Sequence, residues 1–138
     1  MKLTFELSTD LSPQKIWPMY AEITNWYKWE SDLESISLEG DFATGTFGQM
    51  TLLGQPPLRF ELTEVRADKS FCDKTVIPKL GDLYFYHELI LRDGHTSVRH
   101  SVELIPIEGL DLQKGLDFLQ QVFADVPASV SQLVEASR

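Results

Sequence analysis

Two histidines, His87 and His100, are the residues whose type and placement could do chemistry, and local pairing rules bring them face to face. Asp93-Gly94 separates two apolar-rich runs, Leu83 to Leu91 and Val98 to Leu104. Asp-Gly between such runs is the strongest short-range hairpin signal, a two-residue turn with positive φ at both central positions. With Arg92 opposite His95, one face pairs Leu83 with Leu104, Phe85 with Val102, His87 with His100 and Leu89 with Val98. The other face pairs Tyr84 with Glu103, Tyr86 with Ser101 and Glu88 with Arg99. The opposed charges of Glu88 and Arg99 support this register, because directly facing unlike charges contribute roughly 0.2–1 kcal/mol and a one-residue slip would turn every side chain over.

Two imidazoles on an apolar face have two readings. They satisfy each other or a water, as buried polar groups usually do. Alternatively they are the polar groups of an apolar cavity, able to orient a ligand or to serve as acid and base. They make no metal site by themselves: zinc takes three or four ligands, and His95 lies in the turn, too far along the strands to join. No metal and no cofactor is expected. Cys72 and the serines carry no Cys/His or Ser/His/Asp signature. Asp73 depends on the length of the loop after Ile77: a five-residue loop brings it towards His87, a four-residue loop turns it away.

The elements that must hold this pair belong to a chain of 138 residues with 43% hydrophobic content, enough for a single domain over residues 1–138. Twelve basic against 21 acidic residues give a formal charge of −9. The lysines are dispersed among acids, so nucleic acid is not an expected partner. One cysteine, Cys72, excludes an internal disulfide and fits a reducing compartment. The amino-terminal apolar stretch is too short and interrupted for a signal peptide, and no run reaches the length of a membrane helix, so the reading is cytoplasmic with no stable membrane insertion. The oligomeric state is not legible.

Leu3, Phe5 and Leu7 alternate with polar residues, which predicts a first strand. Ser12 then caps a helix with Pro13 at its first position, and Ile16, Trp17 and Tyr20 form its apolar face, which makes Trp17 a core residue. Pro18 shortens, kinks or breaks that helix. Trp26 and Trp29, three apart, predict a second short helix ending near Trp29. Turn residues then punctuate six strands, near 33–39, 46–53, 57–66, 70–77, 82–92 and 96–106. Asp111 caps a closing helix whose stripe is Leu112, Leu116, Leu119, Phe123, Val126, Val130 and Leu133. Pro127 kinks it near Phe123.

This order, with Ser12-Pro13, Ile16-Trp17, Trp26 and Trp29 in the opening, Gly45 and Gly48 before the third strand, and Gly94-His95-Thr96-Ser97-Val98 at the last hairpin, resembles the SRPBCC superfamily. That is the START and birch-pollen-allergen helix-grip fold, and the likeness is to its polyketide cyclase/dehydrase and lipid transport branch. The resemblance implies an α+β domain in which a strongly bent antiparallel sheet of about seven strands wraps a long carboxy-terminal helix, with a ligand cavity between them. Its lining is expected from Trp26, Trp29, Phe85, His87, His100, Val102, Leu116, Leu119 and Phe123, and one of Trp26 and Trp29 is expected near the mouth. The expected function is binding or transport of a small hydrophobic or aromatic metabolite or lipid. Two alternatives stand beside it: a cyclase- or dehydratase-like enzyme using His87 and His100 as acid and base, and a protein-interaction module whose cavity is filled by Leu116, Leu119, Phe123 and Val126.

Overall fold

The computed structural model describes residues 1–138. Its strands are β1 (Lys2–Thr9), β2 (Leu33–Leu38), β3 (Phe47–Leu52), β4 (Leu58–Arg66), β5 (Ser70–Ile77), β6 (Gly81–Arg92) and β7 (His95–Pro106). They form one antiparallel sheet in the order β1-β7-β6-β5-β4-β3-β2. The six meander strands fall within a residue of the expected limits. The β6–β7 register is the one the Asp-Gly turn requires, with Arg92 opposite His95 and His87 opposite His100. Asp93 and Gly94 have φ of 47° and 80°, the positive pair such a turn needs. Arg99 donates to both carboxylate oxygens of Glu88, at 2.7 and 3.2 Å.

Because every pairing is antiparallel, the inward side chains line up in rows across the strands. One row runs Phe5, His100, His87, Phe71 and Val65 from β1 to β4. The next runs Leu3, Val102, Phe85, Asp73 and Leu62. β-bulges after Leu62 in β4 and after Leu33 in β2 add local twist to the sheet. Gly48 lies inside β3, not before it, and a Cβ there would run into the Phe60 ring and come 2.7 Å from the Ser37 carbonyl. The glycine lets the outer strands pack closely over that ring.

Between β1 and β2 lie α1 (Pro13–Ile16), α2 (Pro18–Ala21) and a 3-10 helix over Ile23–Lys28. Ser12 Oγ accepts from the Lys15 amide at 3.2 Å, and each short helix has proline at its start, where no intrahelical hydrogen bond is lost. Pro18 therefore divides one helix into two rather than bending it. Trp17, at the division, is only partly buried, whereas Tyr20, Trp26 and Trp29 are buried. The reading of Trp17 as core is corrected accordingly: the break rotates it off the inner face, where it packs edge-on against Tyr20 and Phe42.

The carboxy-terminal helix is likewise two segments, α3 (Leu112–Phe123) and α4 (Val126–Ala136), interrupted where Pro127 demands it. Asp111 caps α3 by accepting from the Lys114 amide at 3.1 Å. The expected stripe is wrong at its first two positions. Leu112 is 72% exposed and Leu116 packs into neither apolar cluster. The inward arc of α3 is Gly115, Phe118, Leu119 and Val122. A Cβ at Gly115 would sit 3.0 Å from Met1 Cε and 3.2 Å from Leu110 Cδ2, so the absent side chain sets how near α3 lies to β1.

Candidate functional site: an acidic, aromatic cavity beneath the sheet

A cavity of about 190 Å³ lies between the inner face of the sheet, the 3-10 helix and the junction of α3 with α4. Six of the nine residues expected to line it do so: Trp26, Trp29, Phe85, His87, His100 and Val102. Leu116, Leu119 and Phe123 do not. Leu119 is fully buried in a separate cluster with Leu83, Val102 and Leu104, and Phe123 packs against that cluster. Val122 of α3, with Val126 and Ser129 of α4, forms that part of the wall instead. The stripe therefore leaves the hollow open.

The two histidines sit 4.7 Å apart between ring centroids, with planes at 75°. Each is anchored on its far side. The His87 ring stacks on Phe71 at 3.9 Å, and its Nδ1–H donates to the Phe71 carbonyl oxygen at 3.3 Å. His100 Nε2 shares a 2.7 Å hydrogen bond with the Tyr20 hydroxyl, the tautomer of His100 setting which of the two donates. Burial pushes the His87 pKa down to about 3, offset only in part by the hydrogen bond to Phe71. Burial, reinforced by the nearby His87, also holds His100 well below the usual imidazole range. Both rings are neutral at physiological pH. Tyr20 is kept protonated by burial and by the Glu88 charge.

Trp26 and Trp29 both line the cavity, and each is pinned by its indole N–H at 2.8 Å, Trp26 to the Tyr20 carbonyl and Trp29 to the Met19 carbonyl. The 3-10 turn that spaces them three apart thus orients both against α2.

Asp73, Glu30 and Tyr20 were not placed in the site by sequence reasoning. The loop between β5 and β6 has neither five residues nor four: Ile77 pairs with Gly81, and the three-residue turn puts Asp73 opposite Phe85, one row from His87 on the inward face. The alternation Phe71, Asp73, Thr75 could have revealed this, since all three share a face. Asp73 is 3% exposed, and its Oδ1 is fully buried with no hydrogen-bond partner. Burial, then the charge of Glu30, holds its pKa well above the usual carboxylate range. Glu30 follows the 3-10 helix in a segment with no periodic signal. Its carboxyl is pushed up to about 8, first by burial and then by Asp32 and Asp125, with the Ser129 hydroxyl opposing. Asp125, exposed at the amino end of α4, and Asp32 form part of the rim.

With this geometry in view, the class is clear: the chain has the helix-grip fold that its sequence resemblance implies. It is similar over 98% of its length, and 98% of the other chain, to the crystal structure of Ara h 8.0201, at 14% identity and a TM-score of 0.70. A solution structure of an Arthrobacter aurescens protein matches 99% of this chain and 85% of its own, at 10% identity and a TM-score of 0.70. DynU16, from the dynemicin biosynthetic locus, matches 97% of this chain at 11% identity and a TM-score of 0.71, and this chain spans 46% of it. No family model and no curated protein matches the sequence. At these identities the likeness is one of fold. No helix is long and apolar enough to cross a membrane.

Proposed function

We propose that the protein binds a small hydrophobic or aromatic molecule in the cavity between the sheet and α3–α4, carrying or sequestering it without a cofactor. The observation that supports this most is an unfilled hollow walled by Trp26, Trp29, Leu33, Phe85 and Val102 with a few polar groups set among them, the usual composition of a small-molecule site. Size narrows the ligand. An apolar cavity of about 150 Å³ takes benzene, so about 190 Å³ suits a one-ring or small two-ring body and not an extended lipid chain. Native mass spectrometry of the purified protein and tryptophan fluorescence titration with one-ring and two-ring aromatics test the reading. Saturable binding is expected, and no binding by any ligand of this size would overturn it.

The cyclase- or dehydratase-like alternative changes its residues. A general base works best with a pKa near the operating pH, and an imidazole at about 3 is a weak proton acceptor. Glu30, at about 8, is better matched to take a proton from an activated carbon or return one to an enolate oxygen. Deuterium exchange at the α-carbon of a small aryl ketone in D2O, abolished by Glu30→Gln, is the outcome that reading requires. The filled-cavity interaction module has less support, because Leu116, Leu119 and Phe123 do not line the hollow and Val126 forms part of its wall.

A further inference from the structure

We infer that the ligand of this cavity is an organic cation, a protonated amine carried on a compact aromatic or apolar body. The inference rests on the binding reading above and names its ligand class. The cavity wall contains four carboxyl groups, Glu30, Asp32, Asp73 and Asp125, and not one lysine or arginine. Acidic clusters on protein surfaces are ordinary, but Asp73 is not on the surface. It is 3% exposed, on an inward row whose other members are Leu3, Val102, Phe85 and Leu62, and its Oδ1 has no partner in the protein. Buried polar groups are nearly always paired, so a buried carboxyl with an unpaired oxygen, on a side chain that lines the cavity, points to a partner that comes from outside.

A donor with positive charge suits that carboxyl better than a neutral one. Charge-assisted hydrogen bonds to carboxylate are about twice as strong as neutral ones. Trp26 and Trp29 line the same cavity, and tryptophan is the aromatic side chain that attracts cations best. The histidines do not oppose it, since burial keeps both uncharged. The amino end of α4 is a positive feature of the same wall, and Asp125 stands at its N-cap position. The surrounding field has the same sign: the chain carries −9 overall and would draw cations towards the mouth. An inorganic divalent ion fits less well, because no three acidic, imidazole or thiol groups converge as ligands.

Three probes sharing one ring separate the possibilities on the intact chain: 2-phenylethylamine, 2-phenylethanol and 3-phenylpropionate, titrated calorimetrically at neutral pH. The amine is expected to bind at least tenfold more tightly than the alcohol, and the carboxylate most weakly. Asp73→Asn and Glu30→Gln, each checked for native circular dichroism, are expected to remove most of the amine's preference over the alcohol. Two variants on different elements keep the test open if one fails to fold. Equal binding of amine and alcohol, or preference for the carboxylate, overturns the charge inference while the cavity reading stands. Failure of all three probes overturns both.

Discussion

The Tyr20 hydroxyl and His100 Nε2 are joined at 2.7 Å across 80 residues of sequence, tying α2 to the middle of β7 inside the core. Neither group sees solvent: Tyr20 is 0% and His100 5% exposed. Removing one partner therefore leaves the other desolvated and unpaired, at a cost of about 1–3 kcal/mol. His100→Leu alone should lower the unfolding free energy, read from urea denaturation, by that amount. Tyr20→Phe with His100→Leu should cost less than the two single changes added together, because the double variant strands nothing. A strictly additive cycle would mean the bond contributes no coupling.

The same bond alters what is expected of the histidine pair. His87→Leu with His100→Leu removes two facing imidazoles at once, and apolar replacement of both partners is often nearly neutral. The Tyr20 hydroxyl remains as the orphan, so the triple variant with Tyr20→Phe should be the most stable of the series near neutral pH. Equilibrium denaturation decides it. A triple variant less stable than the double would show that the phenol has another partner.

Stability against pH should form a dome. His87 and His100 have folded pKa values depressed below the unfolded 6.5, so their contribution is complete above about 6.5 and is lost as pH falls towards 3. Glu30 and Asp73 are raised, so the folded state holds protons the unfolded state has released, and stability declines as pH rises from about 4.5 through 8. The two pairs oppose one another between about 4.5 and 6.5 and leave that region flat. Above it the carboxyls act alone, with a slope of at most about 1.4 kcal/mol per pH unit for each proton. Glu30 faces Asp32, Asp125 and Ser129, and Asp73 faces Glu30, so no cation counters the decline. Glu30→Gln should make the alkaline limb between pH 6.5 and 8 shallower in thermal melts and turn the flat region between 4.5 and 6.5 into one where stability rises with pH.

The hairpin, the six strands of the meander and the places where both prolines interrupt helices were legible because each rests on local chemistry: turn dihedrals at Asp93-Gly94, alternation along β6 and β7, and missing amides at Pro18 and Pro127, although Pro127 breaks the closing helix where a kink was expected. The candidate site was legible only where it lies on that hairpin. Asp73 was lost to a single residue of loop length, since two antiparallel strands exchange faces with each step of register. The α3 wall was lost because Gly115, which sets how near α3 lies to β1, has no side chain to count as apolar. Glu30 stands in a segment where nothing repeats, and only tertiary structure brings it beside Ser129 and Asp73.

The three tryptophans should report differently on a bound ligand. Trp26 and Trp29 line the cavity, whereas Trp17 packs outside it on Phe42. In variants keeping one tryptophan, with phenylalanine at the other two positions, a quenching aromatic ligand should change emission from Trp26 and from Trp29 but not from Trp17. Trp26→Phe and Trp29→Phe should also each destabilise the fold by about 1–3 kcal/mol, since the Tyr20 and Met19 carbonyls lose their donors. A response confined to Trp17 would move the ligand out of this cavity.

Proton release is the last consequence of placing carboxyls in an aromatic hollow. Without a ligand, Glu30, pushed up to about 8, holds its proton at neutral pH, and burial with the Glu30 charge holds Asp73 well above the usual carboxylate range. A protonated amine entering the cavity reverses that balance: the cation favours the carboxylate, and the displaced proton leaves to the buffer. The amine itself keeps its charge up to about pH 10, as an alkyl ammonium does. Affinity for 2-phenylethylamine should therefore rise between pH 6 and 8, approaching tenfold per pH unit for each proton released. Calorimetry at neutral pH in two buffers of different ionisation enthalpy should show the corresponding proton release. Asp73→Asn should lower the number released and flatten the pH dependence, while 2-phenylethanol should release none. An amine affinity that is flat from pH 6 to 8, with no buffer dependence of the heat, would mean the cation does not meet these carboxyls.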